Sequence, residues 1–113
     1  MTRPIHIISS LTGKKEQLVP IHPGEVRMYA CGVTVYDLCH LGHAMQAVFF
    51  DVMRRYLEYA GYKVTYVRNY TDVDDKIINR AAETKISPRK LAQDMVVAAD
   101  EDLLNVGVAP ASH

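Results

Sequence analysis

Two histidines with a glycine between them, His40-Leu41-Gly42-His43, stand at the head of an apolar run. Side chains three apart share one face of a helical turn, and two imidazoles there can both donate to a bound anion. A first helical turn also offers main-chain N–H groups without intrahelical partners and the positive end of the helix dipole, so an oxyanion such as a phosphate is stabilised there. Gly42 lets a ligand come close to the backbone. The bland reading of the same residues is a pair of helix-start histidines bonded to solvent. Nine residues upstream of His40, Cys31 precedes Gly32 at the end of an apolar stretch; it is either a small buried hydrophobe or a thiolate ligand. Downstream, Thr71-Asp72-Val73-Asp74-Asp75-Lys76 places a hydroxyl beside three carboxylates. We read the carboxylates as helix capping and ion-pair groups near Lys76 and Arg80 rather than a metal cluster, because helix starts favour negative charge. Thr12-Gly13-Lys14-Lys15 lacks the GxxxxGK[ST] spacing of a phosphate loop and reads as a turn. His6 and His22 read as structural or surface residues.

The elements that must position these groups follow from pattern. Val26 to Ala30 is a short apolar strand broken at Cys31-Gly32. Ala44 to Ala60 reads as a helix ended by Gly61, with Val48, Val52, Tyr56 and Tyr59 recurring at three and four as a core stripe. Lys63 to Arg68 alternates apolar and polar residues and is a strand. Strand, helix, strand is a βαβ unit, and ligands in open parallel sheets collect beyond the carboxyl ends of the strands, where both motif stretches fall. Ile5 to Ser9 and Leu18 to Ile21 are expected to pair as strands ahead of the His22-Pro23-Gly24 turn. Later, Asp72 is expected to cap a helix over Val73 to Ala82. Ser87-Pro88 opens another to about Leu104, packed through Leu91, Met95, Ala98, Ala99 and Asp102. Residues 105–113 carry no periodic pattern and are expected to be an irregular tail.

Composition bounds the rest. The 113 residues make at most one domain, and 49% hydrophobic with 23% charged argues for a globular fold. Thirteen basic and thirteen acidic residues cancel, so contacts to nucleic acid must be local. Two cysteines, no secretory leader pattern and no run of roughly 18 apolar residues point to reduced thiols in a soluble cytoplasmic protein with no membrane contact. Cys39 reads as a packing residue.

Taken together, Cys31-Gly32-Val33-Thr34-Val35-Tyr36-Asp37, His40-Leu41-Gly42-His43 and Thr71-Asp72-Val73-Asp74-Asp75, in that order, resemble the N-terminal part of the catalytic domain of the cysteinyl-tRNA synthetases. These are class I aminoacyl-tRNA synthetases, whose signature is HIGH. The resemblance runs from about Ile5 to about Leu104. It implies an α/β, Rossmann-like partial domain with a parallel sheet and flanking helices, occupying residues 1–113 as the N-terminal half of the class I fold. It implies ATP, with Mg2+, as substrate at His40, His43, Gly42 and Gly32. It also places Thr34 near ATP or the cysteine substrate and Thr71 near the cysteine substrate, with Thr71 equally able to satisfy helix-start donors. Cys31 matches one of four ligands of a zinc ion that selects the substrate thiolate. The other three ligands, a second signature of the KMSKS type and the anticodon-reading domain belong to later segments, so the chain is expected to be incomplete alone. It would then need a complementing C-terminal segment, or self-associate, and contact tRNA through other parts. Met45 and Gln46 stand where the family usually has arginine and a hydroxyl residue. A mycothiol-type cysteine ligase is a sister reading, disfavoured by Lys76 in place of that family's proline. A non-catalytic half-domain that holds a nucleotide or a partner is a third.

Overall fold

The computed structural model describes residues 3–113. Its first element is a small antiparallel hairpin of β1 (His6–Ile8) and β2 (Lys15–Gln17), with His6 opposite Gln17. The second strand of the hairpin is therefore the polar Lys-Glu-Gln segment and not Leu18 to Ile21. Gly13 at φ +67 lets the chain reverse early, and its N–H donates to the Ser9 carbonyl, which sets the register before the apolar residues are reached.

The next part is built on β3 (Glu25–Ala30), α1 (Leu41–Tyr59) and β4 (Lys63–Arg68). β3 and β4 pair in parallel from Glu25 opposite Lys63 to Ala30 opposite Arg68. A parallel pair cannot be closed by a tight turn, and α1 supplies the connection. This is the βαβ unit the pattern implied; among the described residues the parallel sheet has these two strands. Beyond them come α2 (Asp75–Thr84) and α3 (Pro88–Asn105). Ser87 caps α3 through its hydroxyl to the Lys90 N–H at 3.2 Å, with Pro88 in the first turn. α2 is capped by Asp74, whose carboxylate accepts from the Lys76 N–H at 2.9 Å, so the cap falls two residues later than Asp72. The carboxylate cluster also leaves Arg80 to other partners: it reaches Asp37 at 3.5 Å and Glu83 at 3.2 Å.

Among the described residues two clusters form the core. Val35, Ile77, Ala81, Leu91 and Ala92 join the loop after β3 to α2 and α3. Ala47, Leu103 and Val108 join α1 to the end of α3 and the final segment. α1 thus buries Ala47, Asp51 and Leu57. The expected stripe faces outward instead: Val52 and Tyr56 are exposed, and Tyr59 retains 87% of its accessible surface. Leu41, Met45 and Phe49 continue that outward apolar face. A helix apolar on two sides gives a periodicity that marks a face without saying which one meets the sheet. On α3, Leu103 takes the buried place expected of Asp102, which is exposed.

Residues 106–113 have no regular structure but are firmly held. Val108 is buried, Ser112 N–H donates to the Tyr66 carbonyl at 2.7 Å, and the Arg68 N–H donates to the His113 carbonyl at 3.2 Å.

Candidate functional site

The sequence change at Cys31-Gly32 is a change of register. From the Ala30–Arg68 pair to the next bridge, Thr34 opposite Thr71, the first chain takes four steps to the second chain's three. The extra residue makes a bulge, the device that re-aims a side chain at the end of a ladder. Gly32 is the tight point. A Cβ there would lie 1.8 Å from the Asn69 carbonyl oxygen, while its own N–H donates to Asn69 Oδ1 at 2.8 Å. Its neighbour Cys31 is left exposed with a free thiol. Past the bulge, Val35 N–H donates to the Thr71 carbonyl and Thr71 N–H to the Val33 carbonyl, both at 3.1 Å. The two threonines singled out by sequence are thus held side by side beyond the carboxyl ends of β3 and β4.

His40 and His43 build the first turn of α1 between them. His40 is the N-cap: its Nδ1 accepts from the Gly42 N–H at 3.0 Å. His43 Nδ1 accepts in return from the His40 N–H at 3.2 Å. The arrangement is a capping box in which imidazoles do the work usually given to a hydroxyl and a carboxylate. The rings stack with centroids 3.7 Å apart and 22° between planes. Gly42 has to be small for a reason separate from any ligand, since a Cβ would stand 2.9 Å from the His40 ring. Burial, and then the neighbouring His40, lower the His43 pKa below its ordinary 6.5. Helix α1 begins at this cap, three residues ahead of the start expected at Ala44.

Cys31, Gly32 and His43 line one small cavity together with Gln46, Tyr66 and Arg68; about 20 Å³ of it is open to water, room for one molecule. Thr34, Thr71, His40 and Gly42 lie outside that cavity's lining. Gln46 Nε2 donates to the Cys31 carbonyl at 3.5 Å, so its side chain touches the bulge. Sequence reasoning missed Asn69, which joins the two motif stretches, and the group behind them. Arg68 is nine-tenths buried, approaches Asp100 at 3.7 Å and lies over the Tyr70 ring, and the Tyr70 hydroxyl donates to Asp100. Burial first, then that hydrogen bond, push the Tyr70 pKa up to about 12. Burial and the nearby Asp102 raise the Cys39 thiol as well, which suits a packing residue rather than a nucleophile. The position of Asn69, directly after a strand and before Thr71, was the available signal.

Among the described residues no three His, Cys, Asp or Glu side chains gather into a group able to hold a metal ion. The side chains present therefore do not make a zinc site. The thiol of Cys31 can contribute one ligand at most.

Comparison with known proteins agrees with the family resemblance. Residues 17–113 match the family model described as tRNA synthetases class I (C) catalytic domain. The chain is 54% identical over 105 residues to a protein of Syntrophotalea carbinolica named cysteine-tRNA ligase, covering 93% of this chain and 22% of that protein. It is 53% identical over 109 residues to the protein of that name from Alkalilimnicola ehrlichii, and 52% over 108 residues to that of Thermotoga petrophila, with 96% of this chain and 24% of each relative covered. The chain spans about a quarter or less of the length of the curated relatives it matches. No helix among the described residues is long and apolar enough to cross a membrane.

Proposed function

The chain belongs to the class I (C) tRNA synthetase catalytic-domain family, and from that premise we propose that it serves ATP-dependent activation of cysteine and its transfer to tRNA, in the cytoplasm. The observation that carries this reading is the convergence of three separate motif stretches at one end of a parallel strand pair: the Cys31-Gly32 bulge, the Thr34–Thr71 bridge and the His40/His43 turn. In the reaction, the cysteine carboxylate attacks the α-phosphate of ATP and pyrophosphate leaves. What such a step needs from protein is alignment of two reactants and donors aimed at the charge that builds on the phosphate oxygens. His40 and His43 are the donors. Gly42 keeps the turn narrow enough for approach. The hydroxyls of Thr34 and Thr71 orient the amino acid, while Gly32 and Asn69 hold the two loops where the main chains of these threonines bridge. Magnesium accompanies ATP as part of the substrate. Full aminoacylation draws on further segments of a longer protein, and tRNA meets the enzyme through them.

Pyrophosphate exchange with cysteine and ATP tests the reading. The chain alone is expected to give background exchange. Adding the remaining catalytic segment of the Syntrophotalea carbinolica relative is expected to restore exchange, and the His40→Ala variant of this chain to abolish it again. Absence of exchange in the reconstituted pair, with no ATP binding by calorimetry, overturns the proposal.

A further inference from the structure

The way the two histidines cap α1 dictates where their protons are. A ring nitrogen that accepts a hydrogen bond carries no proton. Nδ1 of His40 accepts from the Gly42 N–H and Nδ1 of His43 accepts from the His40 N–H. A main-chain N–H cannot turn around and accept, so the polarity of both bonds is fixed by the backbone. Each ring is therefore neutral with its remaining proton on Nε2. No hydrogen bond engages either Nε2 among the described residues. No carboxylate lines the cavity beside His43 that would hold an imidazolium there; the ionisable side chains facing it are Cys31, Cys39, Tyr66, Tyr70 and the cationic Arg68. Stacking at 3.7 Å also disfavours two like charges.

We propose that the His40/His43 pair meets its oxyanion as two neutral Nε2–H donors, held in that tautomer by the main-chain N–H groups of Gly42 and His40, and not as a pair of cations. This rests on the reading of the first turn of α1 as the ATP phosphate site. It gives each imidazole two jobs on two different atoms: Nδ1 builds the helix start and Nε2 serves the ligand. The donors then need no reorganisation when charge develops, because the tautomer is set before the ligand arrives.

The two jobs separate by substitution. In asparagine the side-chain oxygen stands close to the place of Nδ1, so His40→Asn keeps the cap and loses the outer donor. In glutamine the amide nitrogen reaches the place of Nε2, so His40→Gln keeps a donor and loses the cap. Sulfate is the probe, since it does not titrate in the range used. The Asn variant is expected to melt within about 2 °C of the parent while binding sulfate about fivefold to tenfold more weakly. The Gln variant is expected to melt several degrees lower while losing less affinity than the Asn variant. Direct assignment comes from long-range 1H–15N correlation spectra of the imidazoles at pH 7.5, where both rings should show Nε2 protonated and Nδ1 bare. An Nδ1–H or imidazolium pattern in either ring, with ATP binding intact, overturns this inference alone. The stated tautomers with no binding of sulfate or ATP overturn the anion role together with the ATP reading.

Discussion

A histidine that caps a helix through Nδ1 gives up the cap when it takes a proton, and this couples the candidate site to pH. The folded state lowers the His43 pKa, by burial first and by His40 second, so at mildly acidic pH the unfolded chain binds the proton more readily than the folded one. Stability from this group is therefore complete above its ordinary value of 6.5 and is lost as pH falls below that value toward the lowered folded one. We expect the melting temperature to be level between pH 8 and pH 7 and to fall on going to pH 5.5. In a His43→Gln chain, which starts lower but has nothing to titrate at that position, the fall should be smaller. Equal slopes in the two chains would remove His43 as the cause. Gly32 makes a second prediction at this scale, one that involves no ionisation. The atom a Cβ would strike is the Asn69 carbonyl oxygen, part of the backbone at the ladder end and unable to swing aside. Gly32→Ala should cost about 2 to 3 kcal/mol in urea unfolding. Gly13→Ala, where nothing lies within 4 Å and only the positive φ resists, should cost about 1 kcal/mol.

Helix α1 shows how an element can be legible in its existence and its stop and illegible in its sides. Its stop follows from Gly61 at φ +92, while its start lies at the two histidines, three residues ahead of the expected Ala44. The strands on either side declare themselves by their apolar and β-branched residues, and Ser87-Pro88 opens α3 as the pattern implied. The inward face of α1 does not declare itself, because what turns it is a buried carboxylate. Asp51 accepts from Arg55 Nε at 2.7 Å and from the Ala109 N–H at 3.1 Å. Arg54 and Arg55 go on to donate to the carbonyls of Pro110 and Gly107. A charged position on a helix reads from sequence as solvent-facing, and here it is the anchor of a segment with no periodicity of its own. The same reason hid Asn69, whose partner is a glycine N–H 37 residues away. Interactions between a side chain and a distant main chain leave no repeat to read. Asp51→Ala should lower stability by about 1 to 3 kcal/mol, since it orphans the Ala109 N–H while the largely exposed Arg55 returns to water. The accompanying sign is faster protease cleavage after residue 106 in the native state, which a defect confined to α1 would not produce.

At the scale of the whole molecule, extents of 57 × 30 × 24 Å describe an elongated body whose two ends differ in what they contribute. The N-terminal hairpin packs mainly on itself: β1 and β2 are short, the residues of β2 are exposed, and Leu11, Val19 and Ile21 stand in the open. The family match begins at residue 17, at the end of β2. The C-terminal segment has no regular structure, yet it buries Val108 against Ala47 and Leu103 and runs along β4 through Ser112 and His113. Regular structure and structural importance are therefore reversed between the two ends. A chain beginning at Val19 should melt within about 2 °C of the parent and bind sulfate equally well, because the removed strands share no core with α1. A chain ending at Val106 loses a buried valine, worth about 1.5 kcal/mol or more, and several hydrogen bonds to β4 and α1 besides. For a domain of this size a loss of at least about 2 kcal/mol should lower the melting temperature by roughly 8 °C or more. Calorimetry on the two truncations decides the matter. If shortening the N-terminal end is the more damaging of the two, the hairpin is part of the core. The stability of the histidine turn would then depend on strands that the packing places apart from it.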